Sequence, residues 1–459
     1  MTAARTGART DADFPAHVNW SRREPLPATP EESKQFHCRF CGGATAEFLD
    51  LGMSPPCESI LEGRQLKAME AFYPLVAYVC GHCFLVQIPE YLAPEKIFVE
   101  YAYYSGFSIA WLEHARQYAE AMTRKLALNS SSRVIEIGSN DGYLLQHFVA
   151  RDIPVLGIDP AANVAAAAEA RGVPTLVKFF SAEMAHELAG NGMRADLLVG
   201  NNVLAQVPNL NSFVDGMRVL LKPEGIATIE FPHILKTIAG NQFDQFYHEH
   251  YSYFSASTAM KIFSAHGLRI FDFEELWTHG GSLRLYICHA EDMAHPTRES
   301  VAALVRHEQH SGLERLDTYI AFAERIRTSK RKLLSFLTEA KERGKTIVGY
   351  GAPGKGNTLL NYCGVRQDFL DYTVDRNPYK HGKYLPGTHI PIFAPEKIAE
   401  TKPDYVLILA WNLKDEIAAQ LAYIHEWGAK FVVPIPEVWV FGAQLVDPHV
   451  VSPAAAAFV

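Results

Sequence analysis

Arg133-Val-Ile-Glu-Ile-Gly-Ser-Asn-Asp-Gly-Tyr143 is the stretch that decides the fold of this 459-residue chain. Residues 134–137 are β-branched and apolar apart from Glu136, the composition of a parallel strand buried on both faces. They run into Gly138-Ser-Asn-Asp-Gly142 and then into a segment of helical spacing. A strand, a glycine-punctuated turn and a helix start leave bare backbone against which a ligand can lie. About twenty residues on, Val155-Leu-Gly-Ile-Asp-Pro160 reads as the second strand of the same sheet. It ends in Asp159, an acid placed to accept the hydroxyls of a ribose. A plain tight turn explains the glycines but not Asp159.

The glycine spacing is Gly-x-x-x-Gly, not Gly-x-Gly-x-x-Gly, and Ser139 stands where a pyrophosphate cradle needs its second glycine. The pattern therefore favours S-adenosylmethionine, which has a ribose and an adenine but no phosphate. Candidate cofactor contacts are Glu136, Gly138, Ser139, Asn140, Gly142 and Asp159. A third strand is expected over 175–180, ending in Phe180 to flank the adenine. A fourth is expected over 195–202, with Asn201 and Asn202 at its carboxyl end, where open parallel sheets bind ligands. A helix over 207–221 stopped by Lys222-Pro-Glu-Gly225 and a fifth strand over 226–232 complete an alternation that predicts a doubly wound α/β sheet.

Composition is that of a globular chain, with 48% hydrophobic and 20% charged residues. Its length predicts two to three domains. The formal charge of −8 argues against a general nucleic-acid surface, which draws affinity from neutralised phosphates. No apolar run is long enough for a membrane span and no signal-like core opens the chain, so no membrane partner and a cytoplasmic location are expected. Residues 1–33 read as a flexible leader. Cys38-Arg-Phe-Cys41 and Cys80-Gly-His-Cys83 then form two C-x-x-C knuckles that together make a closed tetrahedral sulfur site, suited to a structural zinc ion. Cys57 between them has no partner at ligand spacing.

Tyr101, Tyr103 and Tyr104 form an aromatic cluster that is accounted for by packing, with one phenol a candidate for the cleft. In Tyr247-His-Glu-His-Tyr-Ser-Tyr253, titratable groups are so dense that at least two share a face whatever the local structure. A histidine beside a carboxylate is a base whose tautomer a neighbour can set. A satisfied polar cluster at a loop is the competing reading. Thr278-His-Gly-Gly-Ser-Leu-Arg284 offers His279 and Arg284 beside glycines that also suit a hairpin. After a charged helical bridge, Gly349-Tyr-Gly-Ala-Pro-Gly-Lys-Gly-Asn357 joins a strand to a helix. Its amides and Lys355, with Gly354 and Asn357, are expected to hold a diphosphate. Asp375 ends a strand expected over 369–375, Lys380 and Lys383 are expected on a basic rim, and Trp411 and Asn412 close a strand over 406–412.

Taken in this order, these motifs, with Asn201-Asn-Val-Leu-Ala205 and Gly240-Asn-Gln-Phe-Asp244, resemble the S-adenosylmethionine-dependent C-methyltransferases of nucleotide-linked 4-keto-deoxysugars, the sugar 3-C-methyltransferases of antibiotic pathways. The resemblance runs from about Cys38 onward. It implies a small N-terminal zinc-binding lobe (34–105), a central class I methyltransferase sheet (106–295) and a C-terminal Rossmann-like α/β lobe for the nucleotide-sugar (296–459). Tyr247, Glu249 and His250 match the family's active-site residues, His250 at the position of the general base, and one of Tyr101, Tyr103 and Tyr104 matches a further phenol. Gln206 departs from the family, which has histidine there; an amide can bind a sugar oxygen but cannot shuttle a proton near neutral pH. Gln206, Asn241, His279 and Arg284 are expected on the sugar side.

The implied chemistry has His250, oriented by Glu249, removing a proton beside the ketone while Tyr247 or a cluster tyrosine steadies the enolate oxygen. The expected substrate carries thymidine diphosphate, with guanosine or cytidine diphosphate as alternatives, and the expected state is monomeric. Three other classes fit parts of the pattern: an O-methyltransferase, a nucleotide-sugar-binding protein without turnover, and a zinc-ribbon RNA methyltransferase.

Overall fold

In the computed structural model, residues 36–99, 104–107 and 109–442 are described, so the expected leader and both Tyr101 and Tyr103 lie outside the described residues. The described residues from His37 to Gly442 pack as one unit. Its strands in chain order are β1 (Thr45–Ser54), β2 (Tyr73–Cys80), β3 (Val86–Gln87), β4 (Val134–Ile137), β5 (Val155–Ile158), β6 (Thr175–Leu176), β7 (Ala195–Asn201), β8 (Leu221–Pro232), β9 (Ser252–Tyr253), β10 (Leu268–Leu276), β11 (Ser282–His289), β12 (Ile347–Tyr350), β13 (Thr373–Val374), β14 (Ile392–Phe393), β15 (Tyr405–Ile408), β16 (Lys430–Val433) and β17 (Trp439–Phe441).

The central sheet has the order β10-β11-β8-β7-β4-β5-β6. All four residues of β4 are buried, as a strand covered on both faces must be. It pairs in parallel with β5 on one side and β7 on the other. The chain thus winds away from β4 in both directions and opens a crevice beyond its carboxyl end, where such sheets take their ligands. Beyond β8 the sheet turns antiparallel through β11 and β10. Two expected boundaries move. β6 ends at Leu176, and the next residues, Val177 and Phe179, are exposed, because β6 is the sheet edge and offers no second face to bury them. The Lys222-Pro-Glu-Gly225 turn is a bulge inside β8: Ala195 pairs with Leu221 but Leu197 with Ile226.

A second sheet, β1-β2-β3-β9, surrounds the cysteine knuckles. β2 buries Leu75, Ala77 and Val79 at every second position and leaves the alternate side chains partly open, a one-faced strand. That face shares an apolar core with Phe322 and Ile326 of the long helix Leu316–Glu342 and with Ile347 and Leu407 of the third sheet. Each such fully buried side chain contributes about 1.5–3 kcal/mol, so truncating Phe322 would loosen two sheets together. The third sheet, β14-β13-β12-β15-β16-β17, is parallel except for β17. Its strand β13 covers only 373–374, within the seven residues expected. Among the described residues no helix is long and apolar enough to cross a membrane.

Candidate active site and metal centre

The two knuckles bring Cys38, Cys41, Cys80 and Cys83 together, with all four sulfur atoms within 4.8 Å of one another. Cys38 Sγ lies 3.5 Å from Cys83 Sγ, and Cys41 Sγ 3.5 Å from Cys80 Sγ. A zinc ion with bonds of about 2.3 Å spaces its sulfurs about 3.8 Å apart, so the four positions fit it. The backbone N–H groups of His82 and Cys83 point at Cys80 Sγ, at 3.4 and 3.5 Å, and would offset thiolate charge. Gly43 is needed here because a Cβ would press on Cys41 Sγ and Cys80 Sγ.

At the carboxyl end of β4, Gly138, Asn140 and Gly142 all have positive φ, which makes the sharp turn. The glycines are explained by protein contacts: a Cβ on Gly138 would meet Val203, and one on Gly142 would meet Ala168 and Val173. Asp159 braces the turn, its carboxylate accepting from Asn140 N and Ala161 N, each at 2.9 Å. The fit to a polar cofactor rests on orphaned atoms. The Ser139 hydroxyl and the side-chain oxygens of Asn201 and Asn202 are buried without a hydrogen-bond partner, next to the buried Glu136 carboxyl, which interacts with Tyr143. Native proteins rarely leave such atoms unpaired, and here several gather beside one crevice. Burial pushes the Glu136 carboxyl well above its usual range, and Asp159 up as well. Phe180 does not flank this crevice. It packs edge-on against Phe213 and over Gly216, because the chain leaves the sheet after Leu176 and turns into the helix Ala182–Gly190.

His250 and Tyr247 meet: the phenol oxygen lies 3.0 Å from His250 Nε2. Burial, and then the positive fields of His279 and Lys355, lower the His250 imidazole to about 3, so it is neutral at physiological pH. His279 is lowered to about 4, by burial first and Lys355 second. His250 and His279 thus both lie within the field of Lys355 of the C-terminal lobe. Lys355 donates to Asn412 Oδ1 at 2.8 Å and lies 5.0 Å from the Trp411 ring. Trp411 Nε1 donates to the buried Asp244 at 2.6 Å. Burial lifts Asp244 to about 6. The run Gly240-Asn-Gln-Phe-Asp244 held this acid, but nothing local marks it as the partner of a tryptophan 167 residues away.

Glu249 does not orient His250. It accepts from Cys57 Sγ at 2.8 Å, on the side of Glu58 and Lys380, and burial raises it to about 7. Consecutive side chains diverge in the tight turn over 248–249, so Tyr247, three residues back, reaches the imidazole instead. His248 points away too, to Pro74 O at 3.0 Å. Tyr104 accepts from Asn163 Nδ2 at 3.0 Å and stacks beside Tyr379. Gln206 is half-buried on the single turn Leu204–Gln206, just past Asn202.

Several residues expected on the substrate side hold the protein together instead. Arg284 is a buried partner of Glu230 at 2.9 Å and of Glu274 at 2.9 Å, since β11 pairs directly with both β8 and β10. Burial pushes Glu230 up, but His114 and Arg284 outweigh it and hold the carboxyl at about 2. Asn241 donates to Ser329 Oγ and Pro436 O. The expected diphosphate cradle is filled by the chain itself: Gly354 N donates to Glu58 Oε1 at 2.9 Å, and Asn357 Nδ2 donates to Cys57 O at 2.6 Å. Asp375 is taken up by Ala352 N and Asn377 N. Lys380 is buried against Glu58, and Lys383 pairs with Glu62, so neither forms an open basic rim. Both charges are answered locally by the Cys57–Glu62 segment of the zinc lobe. A hollow of about 580 Å³ lies elsewhere, lined by Tyr350, Arg376, His381 and Tyr423, and touches none of the His250 group.

Three family models cover most of the chain: a zinc binding domain over residues 38–98, a methyltransferase domain over 111–272 and a C-methyltransferase C-terminal domain over 277–436. The chain is 34% identical to C-methyltransferase NovU of Streptomyces niveus over 411 residues, 89% of this chain and 97% of that protein. Among solved structures, magnesium protoporphyrin IX methyltransferase from Synechocystis aligns over 39% of this chain and 81% of its own, at 15% identity and a TM-score of 0.30. An S-adenosylmethionine-dependent methyltransferase from Clostridium acetobutylicum aligns over 39% and 92%, at 11% identity and a TM-score of 0.32. With a class I sheet order, a four-cysteine metal centre and these matches along its length, the chain belongs to the S-adenosylmethionine-dependent C-methyltransferases that NovU represents.

Proposed function

We propose that the acceptor is the carbon beside the keto group, C3, of a nucleotide-linked 4-keto-deoxysugar, and that His250 is the base that activates it. The observation that carries this reading is a buried imidazole hydrogen-bonded to a phenol at 3.0 Å. A carbon acid needs a base in reach and a place for the electron pair to go. His250 Nε2 takes the C–H proton and the electron pair moves onto the ketone oxygen. Protonated Nε2 then donates to the Tyr247 oxygen, which frees the phenolic hydrogen for the enolate oxygen. Lys355, whose field reaches His250, offsets the charge that develops. S-adenosylmethionine, when bound, supplies the electrophilic methyl group. Ser139, Asn201 and Asn202 have unpaired polar atoms to hold it, and the buried Glu136 lies on the same turn.

The thymidine diphosphate form is the preferred substrate class, and the Gly354 loop is not its phosphate site in this arrangement, because Glu58 occupies the loop. The test separates deprotonation from transfer. A thymidine-diphosphate 4-keto-deoxysugar incubated in D2O without methyl donor should exchange its C3 proton, followed by NMR. His250→Ala should slow that exchange at least about a hundredfold. Exchange within about threefold of wild type would remove His250 as the base.

A further inference from the structure

The two amides at the end of β7 are held by rings. Asn201 Nδ2 donates to the Tyr143 hydroxyl at 3.3 Å, and Asn202 Nδ2 lies 3.2 Å from His279 Nε2. Those contacts use the amino ends and leave both amide oxygens unpaired, although Asn201 is only 9% exposed. Trp111, half-buried in the first turn of the helix Ile109–Lys125, touches both rings. Its centroid is 6.0 Å from Tyr143 and 5.6 Å from His279, and it stacks on His114 at 5.0 Å. The guanidinium of Arg284, 2.9 Å from His114 Nε2, is paired with Glu230, while the field of Lys355 reaches only the His279 side of this group. At the crevice of the central sheet the chain therefore presents unpaired carbonyl oxygens and electron-rich rings together, a combination that favours a cation.

We propose that Trp111, with Tyr143, is a specificity residue for the charge of the methyl donor: the indole recognises the sulfonium by cation–π attraction and so distinguishes the donor from its neutral thioether product. The inference rests on the cofactor assignment and not on the identity of the acceptor. An aromatic face attracts an onium group but gains little from an uncharged sulfur. Transfer of the methyl group removes that charge, so the same contact would hold the donor and release the product.

Isothermal titration of the purified protein with S-adenosylmethionine, S-adenosylhomocysteine and an analogue bearing an ammonium in place of the sulfonium tests this. Trp111→Leu should weaken the two cationic ligands roughly tenfold and the thioether by less than about twofold. Trp111→Phe, which keeps a smaller ring, should fall between wild type and Leu for the cations and leave the thioether unchanged. The Phe variant carries the test alone if the Leu variant does not fold. Equal losses for all three ligands would make Trp111 a packing residue, and unchanged affinities would place the sulfonium elsewhere; either result overturns the proposal. Wild-type binding of the donor and the product checks the cofactor assignment separately.

Discussion

The Tyr247 hydroxyl stands 3.0 Å from His250 Nε2, in the place where the sequence predicts a carboxylate from Glu249. A phenol orients the ring without adding a negative charge, and burial keeps the imidazole weakly basic at rest. Tyr247→Phe removes that anchor and, in the proposed mechanism, the donor to the enolate oxygen. We expect kcat to fall roughly tenfold to a hundredfold with substrate affinity nearly unchanged. Loss confined to KM would instead make Tyr247 a substrate-binding residue.

Glu249 gives a pH signature in stability. Its folded value of about 7 lies above the ordinary 4.5, with burial as the main cause. Between those values the folded state holds a proton that the unfolded chain has released, so wild-type stability falls as pH rises through this window and levels off above about 7. Glu249→Gln can still accept from Cys57 and has no charge to bury. Its stability relative to wild type should therefore rise from pH 4.5 to 7 by up to about 3 kcal/mol and then stay flat, as read by urea denaturation across pH. A constant difference across this range would refute the buried, near-neutral carboxyl.

Zinc removal should reach the turn that carries His250. β1 pairs Thr45 with Cys80, β3 pairs with β9, and Ile88 N donates to Tyr251 O just past His250. The sheet that carries the sulfur centre therefore also carries the turn. Chelation, or Cys80→Ser, should lower thermal stability and methyl transfer in parallel with metal content, and added zinc should restore both after chelation. Activity that persists once the metal is gone would detach the centre from the site.

Arg284 tests a structural reading against a binding one. Its guanidinium is 2.9 Å from the fully buried Glu230. Arg284→Met leaves that carboxylate without its cation and should cost about 3–5 kcal/mol in the unliganded protein. Adding Glu230→Gln should recover part of the loss. A variant of full stability with weakened sugar binding would return Arg284 to the substrate.

Much of the fold can be read from short-range pattern. β4 and its glycine turn are visible because a doubly covered strand must be apolar throughout, and the sulfur centre because knuckle spacing is local chemistry. Side-chain direction is not local. Arg284 is set by an acid 54 residues away and the Gly354 loop by Glu58, 296 residues away. A glycine-rich loop before a helix looks the same whether it receives a ligand's phosphate or the chain's own carboxylate.

Gly354→Ala separates those two cases. A Cβ at this position would lie 2.6 Å from Cys57 Sγ and 3.2 Å from Glu58 Oε1, so the zinc-lobe segment would have to move off the helix Gly354–Cys363. That segment also holds Glu249 through the Cys57 thiol and Lys380 through Glu58. Overpacking of this kind costs typically about 1–3 kcal/mol. The substitution should therefore lower the melting temperature of the ligand-free protein. If the loop were a diphosphate cradle, the same substitution would leave the ligand-free protein as stable as wild type and weaken only nucleoside diphosphate binding, which thermal shift with and without thymidine diphosphate distinguishes.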